Sequence, residues 1–124
     1  MTGMTTTDYE RHAREWIAAW NAHDLEQILG HYADDVELVS PFVVRLTGRV
    51  DGVVRGKAAL REYFARGLEA YPDLVFQYRG LFPGVASCVL EYESVRRLPA
   101  AEFMEFDAAG RIRRVVAHYG DPRD

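Results

Sequence analysis

The chain has 124 residues, near the size of one domain, with 48% hydrophobic and 27% charged residues, a balance that excludes a disordered tail, a collagen-like rod and a disulfide scaffold. A formal charge of −4 argues against nucleic-acid binding, because phosphate contact needs a net basic surface. The one cysteine, Cys88, cannot form an internal disulfide and points to a reducing cytoplasm. The opening MTGMTTTDYERH lacks the apolar core of a signal peptide, and no stretch is long enough to span a membrane. The expectation is one soluble cytoplasmic domain over residues 1–124, with residues 1–6 disordered.

Helix signals come first. Thr7-Asp8-Tyr9-Glu10 reads as a capping box, a Thr oxygen and a Glu carboxylate satisfying the first free amides. His12, Trp16 and Trp20 recur at i, i+4 and i+8 with Ala13 and Ile17 beside them, which predicts one buried face. That helix stops near Asn21-Ala22-His23. Asp24 caps a second, short helix whose apolar face is Leu25, Ile28, Leu29 and Tyr32.

Residues 36–39 read as a strand ended by Ser40-Pro41, since proline interrupts a ladder. Residues 42–46 and 53–55 read as the arms of a hairpin turning through 48–52. A third helix starts near Lys57, with Leu60, Phe64 and Leu68 on one stripe and Tyr63, Gly67 and Tyr71 on the next, and Pro72 closes it. Residues 74–81, 85–95, 100–106 and 111–119 then read as strands. Turn residues separate them at Pro83-Gly84, Arg97-Leu98-Pro99 and 107–110, where Gly110 can supply a positive φ. Helices followed by an antiparallel meander, with no βαβ alternation, make the class α+β.

Three segments carry a resemblance: WIAAWNAHDLEQILGHYADDVELVSP at 16–41, GKAALREYF at 56–64 and FDAAGRI at 106–112. They resemble the nuclear transport factor 2-like superfamily, more narrowly its SnoaL-like branch, and are similar to bacterial ketosteroid isomerase. The resemblance implies a cone, or α+β barrel: a curved antiparallel sheet wrapped with three helices, its open end a mostly apolar pocket. It also implies a homodimer through the outer sheet face. The superfamily holds isomerases, dehydratases, epoxide hydrolases and polyketide cyclases besides proteins that only bind or scaffold, so the fold does not fix the function.

Carried over residue by residue, most of the isomerase site is missing. Ser40 stands where the resemblance implies a general-base carboxylate, Trp16 where it implies a tyrosine donor, and Phe64 where it implies a supporting tyrosine. Tyr32 matches a tyrosine of some members, and Glu102 matches the protonated acid of a late strand. Steroid-type isomerisation is therefore not expected.

Glu102 is the candidate catalytic residue. Period-two alternation puts Glu102, Met104 and Phe106 on one sheet face, and the resemblance turns that face inward. A carboxyl in an apolar cavity has a raised pKa and can give or take a proton near neutrality. The alternative is that Glu102 pairs with a buried hydroxyl, indole or Arg and only rigidifies the cone. By the same resemblance Trp16, Tyr32, Ser40, Phe64, Tyr92, Met104 and Tyr119 contact the substrate. Trp20 and Tyr63 are further candidates for the cavity wall, although core packing is the preferred reading of both. His118 alternates with Tyr119 and should face outward, though the twist of a strand end can carry it to the pocket. Neither metal-ligand spacing nor a phosphate-binding glycine cluster occurs, so no metal and no cofactor are expected.

Two function classes follow. One is a cofactor-free enzyme that moves protons on a small, apolar, oxygenated molecule: a cyclase, isomerase, dehydratase or epoxide hydrolase. The other is a non-catalytic ligand-binding or scaffold homodimer. A cavity of a few hundred cubic ångströms exposing Glu102 favours the enzyme, and a packed interior favours the scaffold.

Overall fold

Helix α1 (Thr6–Asn21) is capped by Thr5, two residues before the predicted box, in a computed structural model that describes residues 4–122. The Thr5 hydroxyl accepts from the Asp8 amide at 3.1 Å, and the Asp8 carboxylate accepts from the Thr5 amide at 2.9 Å. Aspartate thus does the work expected of glutamate. The earlier start places Tyr9 on the buried face, where its hydroxyl donates to the Gly84 carbonyl and accepts from the Ser87 amide, both at 3.2 Å. Of the residues expected to be disordered, 1–3 lie outside the described residues, whereas Thr5 and Thr6 form the cap and first turn.

Asp24 caps α2 (Leu25–Leu29) as predicted, accepting from the Gln27 amide at 3.1 Å. Tyr32 does not belong to that helix. Gly30 ends it, and the Ile112 amide donates to the His31 carbonyl at 2.8 Å, drawing the next residue into β1 (Tyr32–Val39).

The predicted 42–46 strand is instead helix α3 (Pro41–Thr47). Ser40 is its N-cap, accepting from the Phe42 amide at 3.2 Å, Pro41 takes the first turn, and Gly48 closes it at φ 79°. Ser-Pro reads as the end of a ladder but also as a helix start, since proline is preorganised there and loses no needed donor. Only β2 (Val53–Arg55) survives of the expected hairpin, and it pairs with β1. Helix α4 (Lys57–Ala70) follows, so four helices stand where three were expected.

Strands β3 (Gln77–Pro83), β4 (Ser87–Glu93), β5 (Pro99–Phe106) and β6 (Ile112–Tyr119) form the predicted meander. The six strands make one curved, unclosed sheet in the order β2-β1-β6-β5-β4-β3. It is antiparallel throughout except where β1 pairs with β6, which is parallel. The turns entering those two strands lie at the same end of the sheet, Tyr32 opposite Ile112, so the strands must run together. Bulges in β3, at the β5–β6 pair and in β1 sharpen the twist.

The concave face carries the core against the helices, with Leu90, Met104, Ile112 and Val115 fully buried. The convex face carries one apolar row across all six strands: Phe82, Val89, Phe103, Val116, Val39 and Val53 are register partners in that order. Beside it runs a charged row in which Glu37 pairs with Arg55 at 3.2 Å and Arg114 at 3.4 Å. No helix among the described residues is long and apolar enough to cross a membrane.

Candidate active site

Alternation along β5 turns Glu102 inward, with Leu90 of β4 and Ala117 of β6 as its register partners. One diagonal step along β4 stands Tyr92, whose hydroxyl donates to Glu102 Oε1 at 2.6 Å. No protein group donates to the other oxygen, Oε2, among the described residues. The carboxyl is 5% exposed. Burial is the dominant influence and pushes its pKa up to about 7, while the Tyr92 bond pulls the other way. A carboxyl shifted in that direction is suited to exchange a proton near neutrality.

Around it is a partly open cavity of about 80 Å3 bordered by three helices, the sheet and the segment after α4. Helix α1 contributes Trp16 and Trp20, α3 contributes Phe42 and Leu46, and α4 contributes Tyr63, Phe64, Gly67 and Tyr71. The sheet contributes Tyr32, Leu38, Tyr92, Ala117 and Tyr119. Leu74 and Phe76 close one side from the segment after α4. That segment is tied to the end of α1: the Asn21 amide donates to the Phe76 carbonyl at 2.9 Å and its oxygen accepts from the Phe76 amide at 2.7 Å. The volume lies between the two expected extremes, larger than a packed interior and well under a typical ligand pocket.

Most of the residues expected to bind or line a pocket border this cavity, with different tasks from those expected. The Trp16 indole donates to the Tyr32 hydroxyl at 2.9 Å, so its N–H is already used and only its ring faces a ligand. Trp20, 7% exposed, keeps an indole N–H with no hydrogen-bond partner. Tyr92 lines the wall while its hydroxyl is committed to Glu102. Phe64 is a wall with no polar atom, packed edge-on against Trp20 at 4.8 Å. Ser40 accepts from the Phe42 amide as helix cap and retains its O–H as a donor. Tyr119 reaches the cavity at the far end of β6, against the Phe42 ring at 4.8 Å.

Met104 and His118 do not line it. Met104 sits one register step deeper and is wholly buried in the core. His118 is exposed on the convex face, where alternation along β6 directs it.

Charge on Glu102 is felt by its neighbours. The phenols of Tyr32, Tyr63, Tyr92 and Tyr119 all have raised pKa values, first through burial and then through the Glu102 carboxylate. They stay protonated and serve as hydrogen-bond donors. Cys88 is pushed up to about 12 by burial and by Glu102, which leaves it an inert thiol. No cluster of three metal-ligating side chains exists among the described residues.

Tyr71, Phe42 and Phe76 border the cavity and were not singled out for it, and Tyr63, for which packing was the preferred reading, borders it too. The Tyr63-Gly67-Tyr71 stripe on α4 was the available signal, because its glycine opens the space its tyrosines border. Phe42 was hidden by the strand reading of its segment. Phe76 was read as part of a strand over 74–81, but β3 begins at Gln77 and residues 74–76 are irregular.

Comparisons with known proteins agree with this fold. The profile of the SnoaL-like domain family matches residues 13–115. A SnoaL-like protein of unknown function from Burkholderia thailandensis E264 is 37% identical, with a TM-score of 0.92 over 97% of this chain and 100% of that one. A proposed isomerase of the SnoaL-like family from Agrobacterium tumefaciens str. C58 is 16% identical, with a TM-score of 0.75 over 94% and 100% of the two chains. A proposed ketosteroid isomerase from Kribbella flavida DSM 17836 is 19% identical, with a TM-score of 0.68 over 92% and 78%. No curated protein matches the chain.

Proposed function

The chain belongs to the SnoaL-like domain family, and from that premise we propose that it is an isomerase-type enzyme moving protons without a cofactor on a small, apolar, oxygenated substrate. The observation that carries this reading is the asymmetry of Glu102, one oxygen held by Tyr92 and the other without a protein donor in an aromatic cavity. Unlike the enclosed and unpartnered His12 Nε2 and Trp20 Nε1, Oε2 keeps some access to the cavity, so a substrate atom can approach it. Glu102 is the acid or base through Oε2. Tyr119, Tyr63 and Ser40 are donors that can hold a substrate oxygen.

This is not the chemistry of a ketosteroid isomerase. Ser40 replaces the base and is occupied as a helix cap, and Trp16 has no transferable proton. The cavity of about 80 Å3 also fits a substrate of few heavy atoms unless its walls part.

The same volume favours a second reading, a non-catalytic binding or scaffold homodimer, in which Tyr92–Glu102 is only a structural bond. The two separate in one experiment. Native mass spectrometry of the purified protein identifies what co-purifies, and that compound is the first substrate assayed. Glu102→Gln then lowers kcat at least about a hundredfold with an unchanged circular dichroism spectrum. Undiminished turnover by the variant overturns the enzyme reading, and a wild type that leaves the compound unaltered supports the scaffold.

A further inference from the structure

The connection between β4 and β5 carries two arginines that the fold does not use. Val95–Arg97 form a single 3-10 turn, closed by the Ser94 amide donating to the Leu98 carbonyl at 2.8 Å and the Leu98 amide donating to Val95 at 3.2 Å. Within it Arg96 and Arg97 have φ of 57° and 59°. Glycine adopts that left-handed backbone freely, whereas any side chain with a Cβ is disfavoured there. Two large side chains in succession therefore oppose the local backbone preference, and nothing in the turn's own hydrogen bonding needs them.

Both arginines are exposed, and neither forms an ion pair among the described residues. They border a groove between this turn and the segment following α4. Tyr71, Leu74, Ser94 and Val95 wall both that groove and the Glu102 cavity, so the two adjoin across these four residues. Two acidic residues also border the groove. Glu93 is committed to Arg79 at 3.0 Å, which leaves Asp73 as the one unpaired carboxylate against two guanidiniums.

We propose that Arg96 and Arg97 bind the carboxylate of a substrate whose apolar body enters the Glu102 cavity, so that the substrate class is an amphipathic carboxylic acid. The inference rests on the cavity being a ligand site and narrows what that ligand is. Planar guanidinium forks match the two oxygens of a carboxylate. Anchoring the anion at the mouth also keeps it away from Glu102, whose own charge would repel it, and sends the uncharged end inward to the catalytic oxygen.

The test compares 4-phenylbutyrate with 4-phenylbutan-1-ol, which share a body and differ in the terminal charge, by isothermal titration calorimetry at pH 7 and low salt. The wild type binds the acid about fivefold or more tighter than the alcohol, and added salt narrows the gap. Arg96→Gly/Arg97→Gly keeps the turn, because glycine adopts both φ values. In that variant the preference falls to near one while the affinity for the alcohol is unchanged. Arg96→Lys/Arg97→Lys retains part of the preference, since the charge remains and the fork is lost. Equal affinity for the two probes in the wild type, or an undiminished preference in the glycine variant, overturns the arginine proposal and leaves the cavity as a ligand site. Binding of neither probe overturns both.

Discussion

Glu102 and His12 are both buried and titratable, and burial shifts them in opposite directions. Glu102 is raised to about 7, so the folded state favours its neutral form. Its contribution to stability is full below the unfolded carboxylate pKa and is lost as pH rises through about 7. Glu102→Gln should therefore match the wild type at pH 4 and exceed it at pH 8 by up to roughly 3 kcal/mol in thermal or urea unfolding. A constant difference across that range contradicts the assignment. His12 is lowered to about 4, first by burial and then by His31, whose ring lies 5.1 Å away. Its contribution is present above the unfolded histidine pKa and is lost as pH falls from there through about 4. In the wild type the two effects partly cancel, and Glu102→Gln exposes the histidine term as a steeper loss of stability on acidification. The face that Glu102 shares with Met104 and Phe106 was legible from alternation along β5, whereas its inward direction came from the resemblance. Its bond to Tyr92 was not, since cross-strand register depends on turns elsewhere in the chain.

At the level of elements, the readings that failed turn on residues with two physical meanings. Ser40-Pro41 terminates a strand and also starts a helix, and the choice is made by burial of Phe42 and Val43 against α4 and β6. The Tyr32 spacing fitted a helix face, but Gly30 and the sheet bond at His31 placed it on a strand. The meander and the Asp24 cap were legible because alternation and capping chemistry are local signals. Since Ser40 caps α3, Ser40→Ala should cost about 1 kcal/mol of unfolding free energy. It should also loosen the wall formed by Phe42 and Leu46, which denaturation combined with the phenylbutanol titration would detect as reduced stability with altered affinity. Unchanged stability would show that the cap contributes nothing.

Over the whole molecule, the composition says little that distinguishes this chain, yet its apolar residues are divided between two faces of one sheet. The concave set builds the core and cavity walls. The convex row from Phe82, 60% exposed, to Val53 crosses all six strands with charged residues beside it. An apolar band of that extent with a polar margin has the anatomy of an interface. We propose that a second copy covers it, giving a homodimer of about twice the chain mass by light scattering at micromolar concentration. Phe103→Glu, at the centre of the row, should yield monomers that remain folded by circular dichroism. A monomeric wild type would contradict the dimer without touching the cavity.

The proposed activity depends most on Glu102 being a proton-exchanging group, whose titration can be followed directly without a known substrate. In protein labelled with carbon-13 at the glutamate carboxyl, the Glu102 resonance should titrate with a midpoint near 7. Tyr92→Phe should move that midpoint higher, because the bond that favours the carboxylate is gone. A midpoint close to the ordinary glutamate value, about 4.3, would contradict the central claim.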